Sequence, residues 1–175
     1  MTWAAFFAAV LGLTAGFTPG AAAIDDRVNG RCADGRVWTT APVAQDQMLG
    51  LLNQARAAAA RPPLTRVEVL DRMAMAHAAD MACRNYFDHV NPERQTVQDR
   101  LARVNPGSRF TWHRLAEVIG TSATPQLQIK RWLNSRPHRR AVLEEEHDRV
   151  GIGLVRLAGS RYGTYWAVDF AAEGR

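Results

Sequence analysis

The hydrophobic pattern changes period once along this chain, and that change limits the fold more than any other feature. As far as Leu133 the apolar residues recur mainly at the 3.6-residue spacing of helices; from Val150 onward they recur at every second position. Val150-Gly-Ile152-Gly-Leu154 and Thr164-Tyr-Trp166-Ala-Val168-Asp-Phe170 alternate on either side of Ala158-Gly-Ser-Arg161, which predicts an antiparallel hairpin. Several helices followed by paired strands predict an α+β domain, its helices packed on an antiparallel sheet. With 175 residues, 47% of them hydrophobic and 22% charged, the chain has the material for one domain and one core.

The helical part divides at its breakers. A first helix is predicted with Thr40 as cap, Pro42 in its first turn and an apolar stripe through Met48, Leu51, Leu52, Ala55 and Ala59. Pro62-Pro63 forbid helix, and Thr65 with Glu68 reads as a capping box opening a second helix. Its stripe runs through Leu70, Met73, Ala74, His77 and Met81, and the stretch Leu64 to His89 ends in Tyr86-Phe87-Asp88-His89. Tyr86 and Phe87 are expected to anchor in the core, so that Asp88 and His89 emerge at a fixed place. Thr96 and Asp99 open a short third helix through Leu101 and Val104, stopped by Asn105-Pro106-Gly107. Residues 109–120 mix aromatic and β-branched side chains and suit either a short strand or an irregular core-crossing segment. Thr124-Pro125 starts a fourth helix through Leu127, Ile129, Trp132 and Leu133, with Pro137 expected to break it and His138 to stand just past the break.

The N-terminal part has a different character. Trp3 to Phe17 is apolar, uncharged and too short to span a bilayer, and small residues Gly20-Ala21-Ala22-Ala23 follow it. This predicts a signal peptide cleaved after Ala23 and a secreted or periplasmic protein. No Lys or Arg precedes the run, which leaves an uncleaved anchor as the alternative. The absence of a cysteine at the cleavage point speaks against a lipoprotein. Residues 24–44 read as a polar arm, and residues 45–172 as the folded domain. Cys32 and Cys83, an even count for an oxidising compartment, suggest a disulfide tying the arm to the second helix, worth about 4 kcal/mol in the chain-entropy picture; two unpaired thiols are the alternative. The 152 residues after Ala23 (175 minus 23) carry the whole formal charge of +5, with Lys130 the only lysine. Arginine suits carboxylate and phosphate partners, but an Ala- and Arg-rich, Lys-poor chain mostly reflects genome base composition, and nucleic acid is not an expected partner.

Nine short pieces stand in a telling order: Leu52-Asn53-Gln54-Ala55-Arg56, Asp80-Met81-Ala82, Tyr86-Phe87-Asp88-His89, Asp99-Arg100, Ala116-Glu117-Val118-Ile119-Gly120, Trp132-Leu133-Asn134-Ser135, His138-Arg139, Val150-Gly151-Ile152-Gly153 and Tyr165-Trp166 to Phe170. In this order they resemble the CAP superfamily, the SCP domain of cysteine-rich secretory proteins, antigen 5 and pathogenesis-related 1 proteins, in its short bacterial form. The resemblance implies an α-β-α sandwich, helices flanking a small antiparallel sheet, with a cleft lined by two histidines and acidic residues, here His89, Glu117 and His138. Ser135 stands where many eukaryotic members have a second glutamate. Ala116-Glu117-Val118 replaces Gly-Glu-Asn, and Ser135-Arg136-Pro137-His138 replaces Ser-Pro-Gly-His.

From this resemblance we expect a monomer whose cleft binds a lipid, a sterol-like molecule or another cell-envelope component, with no stable membrane span once the signal is removed. Zinc or another divalent cation weakly held by His89 and His138 is the expected cofactor, if any. The alternative is a hydrolase or lyase of envelope glycans or peptides, with Glu117, His89 and His138 as candidate catalytic residues and Glu117 as general base. A third is an anchoring or partner-binding protein with a vestigial cleft. Neither a Gly-x-Ser-x-Gly elbow nor an activated thiol supports a nucleophilic enzyme. His77 reads as a hydrogen-bonded core residue and His147, in the acidic run Glu144 to Asp148, as solvated surface. His113 reaches the cleft only if 109–120 is extended.

Overall fold

The computed structural model describes residues 29–104 and 112–174. The expected hairpin forms the centre of its sheet: β5 (Arg149–Arg156) and β6 (Thr164–Glu173) pair antiparallel from Arg149↔Ala171 to Arg156↔Thr164. On the far side of β6 lies β4 (Trp112–Gly120), so the segment compatible with strand or irregular structure is a strand, with a register shift between His113 and Ala116. Along the outer edge of β5, β3 (Thr65–Arg66) joins in parallel and β2 (Val37–Thr39) joins through Thr39↔Arg156; β1 (Asn29–Arg31) pairs with β2.

Both faces of this sheet are covered, and strand alternation decides by what. Val150, Ile152, Leu154, Trp166, Val168 and Phe170 pack against α1 (Pro42–Ala58), α4 (Pro125–Asn134) and α5 (Arg136–Val142) through Met48, Leu52, Ile129, Trp132 and Val142. Tyr165 and Ala167, on the other parity, meet Ala74, Ala78 and Met81 of α2 (Glu68–Arg84), and α3 (Val97–Val104) flanks that layer. The result is the α-β-α sandwich expected. Gly151 and Gly153 let α2 lie with its backbone directly on β5: a Cβ at Gly151 would sit 2.0 Å from the carbonyl carbon of Leu70, and one at Gly153 2.3 Å from the Ala74 oxygen.

Several local expectations are corrected. Thr65 does not cap α2, because the Thr65 and Val67 N–H groups donate to the carbonyls of Asp148 and Val150; strand pairing takes the residues the capping box needed. The helix starts at Glu68 with Val67 as a capless N-cap, and it ends at Arg84 because Asn85 turns left-handed at φ 56. Ala41, not Thr40, is the N-cap of α1. Pro137 begins rather than breaks a helix: it sits in the first turn of α5, where its missing N–H costs nothing, and His138 lies within that helix. The capping pairs Thr96–Asp99 and Thr124–Leu127 do form. Phe87 is 38% exposed and packs on Tyr162 at the surface, so Tyr86 alone turns inward. Within the arm, residues 29–39 form a β1–β2 hairpin, and the Cys32–Cys83 disulfide ties it to α2, helped by Arg36 donating to the Cys83 carbonyl at 2.6 Å.

His147 is buried, not solvated. Arg56, fully buried, donates to the carbonyls of Pro62, Val142, Glu144 and His147 at 2.7–2.9 Å. This draws the backbone of the acidic run inward, and the His147 ring lands stacked on Phe170 with its nitrogens on the Arg114 and Ala141 carbonyls. The Asn105-Pro106-Gly107 stop and the signal segment 1–23 lie outside the described residues. Among the described residues no helix is long and apolar enough to cross a membrane.

Candidate functional site

The site assembles where β4, α2, α3 and the loop after α2 meet. Glu117 of β4 stands directly across from Asp169 of β6, so both carboxyls point to the α2 face of the sheet. From α2 comes His77, with a side chain excluded from solvent; its Nε2 donates to the Asp88 carbonyl at 3.0 Å and lies 3.8 Å from Glu117 Oε2. The left-handed turn at Asn85 swings the chain back across the end of the helix, where the Tyr86 hydroxyl donates to Asp80 at 2.5 Å. This brings His89 over the sheet, with its Nδ1 2.8 Å from Glu117 Oε1. Arg100 of α3, 8% exposed, donates to the His89 carbonyl at 2.9 Å and to Glu117 Oε2 at 2.5 Å.

Glu117 therefore has both oxygens engaged, one by an imidazole and one by a guanidinium, and its side chain is 2% exposed. Burial pushes its pKa up, but the His89 hydrogen bond and the Arg100 charge outweigh it and hold the carboxyl below its ordinary value. Asp169 goes the other way. It is completely buried, neither of its oxygens has a partner among the described residues, and burial together with the neighbouring Glu117 charge pushes it well above the carboxylate range. The surroundings thus favour the charged form at Glu117 and the protonated form at Asp169. Burial holds His77 below its usual value, which suits the neutral ring its hydrogen bonds describe.

His138 enters from α5. Burial, then the charge of His89, lowers its pKa, and its Nδ1 is buried with no hydrogen-bond partner among the described residues. The structure thus joins His89 to Glu117 directly and sets His138 within electrostatic range of His89. His113 is exposed and takes no part. Arg100, Asp169 and His77 were not foreseen as members of the site. Asp169 had a signal, the one acid within the otherwise apolar run Tyr165 to Ala172; Arg100 had none beyond its place in a motif.

A metal has little to hold it in this arrangement. No group of three His, Cys, Asp or Glu among the described residues is placed to bind an ion, and the two oxygens Glu117 would offer are already used. Two imidazoles are one ligand short of the usual catalytic zinc set. The feature open to a ligand is the His89 ring, whose side chain is 49% exposed; the His138 Nδ1 is buried, with no hydrogen-bond partner among the described residues.

The chain and its fold have known relatives. The model of the cysteine-rich secretory protein family matches residues 49–170. The uncharacterized protein YkwD of Bacillus subtilis is 27% identical over 129 residues, which are 74% of this chain and 47% of that protein. An extracellular SCP-domain protein from Bacillus anthracis superposes with a TM-score of 0.64 at 26% identity, over 75% of this chain and 41% of its own. An outer surface protein from Borrelia burgdorferi shares the fold with a TM-score of 0.67 at 14% identity, over 75% and 94% of the two chains. The chain spans less than half the length of YkwD and of the Bacillus anthracis protein.

Proposed function

Because the chain belongs to the cysteine-rich secretory protein family, we propose that it is a binding module acting outside the cytoplasm, and that its cleft takes the polar head of a small envelope component between His89 and His138. The observation that carries this reading is the state of Glu117. A general base works best with a pKa near the working pH and a free oxygen; Glu117 has its pKa lowered and both oxygens occupied. Its role is to orient His89 and hold the loop, while the exposed His89 ring offers a ligand its second nitrogen and the half-buried His138 ring flanks it. Two structural relatives, one an extracellular protein and one an outer surface protein, support the location. Zinc or another divalent cation would meet two imidazoles only and would bind weakly.

Calorimetric titration with zinc, repeated with envelope extract, tests this. The parent protein is expected to give a saturable signal with envelope extract and a weak one with zinc, both lost in the His89→Ala/His138→Ala variant while its circular dichroism stays native. Binding that survives in the double variant would remove the cleft from the proposal. One feature favours a second reading: Glu117 fixes the Nδ1 of His89 and leaves Nε2 outward, the arrangement of an imidazole base with an orienting carboxylate. In a hydrolase or lyase of envelope glycans or peptides His89, not Glu117, would then be the base. Turnover of either substrate that falls roughly 10²- to 10⁴-fold in His89→Ala would establish that reading in place of the first.

A further inference from the structure

A second pocket opens on the flank of α2 away from the cleft. Met75 and Ala79, which line it, stand roughly 200° around the helix from His77. Pro42 at the start of α1, Ile152 of β5 and the indole of Trp38 on β2 complete its apolar walls, and its volume is about 480 Å³, well within the range of small-molecule sites.

The pocket exists because the outer edge of β5 is only partly paired. β3 covers it as far as Val150 and β2 meets it at Arg156, and no strand lies between among the described residues. In that gap two side chains do what a strand would: Asp71 accepts from the Ile152 N–H at 2.8 Å, and Gln45 Nε2 donates to the Ile152 carbonyl at 2.6 Å. Side chains satisfy the edge without filling the space beside it.

The polar groups around this space are matched, with one exception. Arg66 at the mouth pairs with Asp46 and Asp71, and Arg72 pairs with Glu68. Among the described residues no charge is left for a ligand to neutralise. The exception is Thr40, displaced from its capping role by Ala41: it is 4% exposed, it lines the pocket, and its hydroxyl has no hydrogen-bond partner among the described residues. A buried hydroxyl left unpaired is costly, and native structures seldom keep one without a use.

We propose that this pocket binds an uncharged, elongated apolar molecule carrying a single hydroxyl or carbonyl, its apolar body between Trp38 and Met75 and its polar group on the Thr40 hydroxyl. The site is separate from the His89–His138 cleft and does not depend on the function proposed for it. The test is calorimetry of the whole protein with 1-decanol and with sodium decanoate, together with NMR mapping of the amides that respond. Saturable binding of one 1-decanol is expected, with shifts at residues 38–42 and 75–79. Decanoate should bind at least about tenfold more weakly, since its charge finds no partner. Thr40→Val, which keeps the shape and removes the hydroxyl, should weaken 1-decanol about tenfold, and Ala79→Phe, which fills the space, should abolish binding with the thermal midpoint retained. No saturable binding to the parent, shifts centred on residues 86–89 and 138, or equal affinity in Thr40→Val would each overturn the proposal.

Discussion

Glu117 keeps a charge where burial opposes one because His89 and Arg100 take its two oxygens, and the loss of either partner leaves that charge exposed to the full cost of desolvation. Arg100→Met is expected to destabilise the fold by about 3–5 kcal/mol in urea titration, a loss typical of a broken buried ion pair. A loss under about 1 kcal/mol would mean that the pair contributes no more than a surface one. Asp169 makes the opposite prediction. Its folded pKa lies above the unfolded value, so the stability it contributes is full at acid pH and is lost as pH rises from about 3.8 toward the folded value. Asp169→Asn keeps the shape and cannot ionise beside Glu117. It should therefore raise the thermal midpoint at pH 7, by roughly 2–4 °C for each kcal/mol recovered, with the gain vanishing toward pH 3. A variant less stable than the parent at pH 7 would show that the acid is ionised and paired. At this scale the motifs pointed to His89, Glu117 and His138, while Asp169 was missed although an acid inside an apolar run marked it. It was not legible for Arg100, because nothing in spacing says that a side chain on α3 reaches a residue seventeen positions ahead on a strand.

At the scale of elements, the seating of α2 on β5 decides where His77 and the loop after it arrive. Gly153→Ala would place a methyl 2.3 Å from the Ala74 oxygen, and because that atom is backbone the helix must move. The expected cost is about 1–3 kcal/mol, with the imidazole signal of His77 displaced in NMR. An unshifted signal would mean that α2 is not the element that yields. The helices with strong stripes and the C-terminal hairpin were readable from period alone. What escaped were the elements whose formation depends on distant partners: β3 takes two residues from a capping box only because Asp148 and Val150 offer carbonyls there, and β1–β2 is a hairpin without alternation, held by a disulfide and by Trp38 rather than by a stripe of its own.

The whole molecule has an acid weakness. Burial lowers the pKa values of both His77 and His147, so their contribution is intact above the unfolded value near 6.5 and is lost as pH falls below it, the reverse of the slope from Asp169. The thermal midpoint should fall between pH 6.5 and 5, and less steeply in His147→Gln; an equal slope in the two proteins would release His147 from this role. The sheet order carries a consequence of another kind, one of time. Its two central strands come from residues 149–173, while most of what packs on them is made earlier. During synthesis α1, α2 and α4 have no surface to settle on until β6 leaves the ribosome, and contacts of such long sequence separation close slowly. Nascent chains stalled before Thr164 are expected to be cut readily by protease, and chains extended past Glu173 to resist it. Early protection would show an N-terminal unit folding alone. Until β6 pairs, Glu117 has no Asp169 across from it, and the cleft is among the last parts of the protein to come into being.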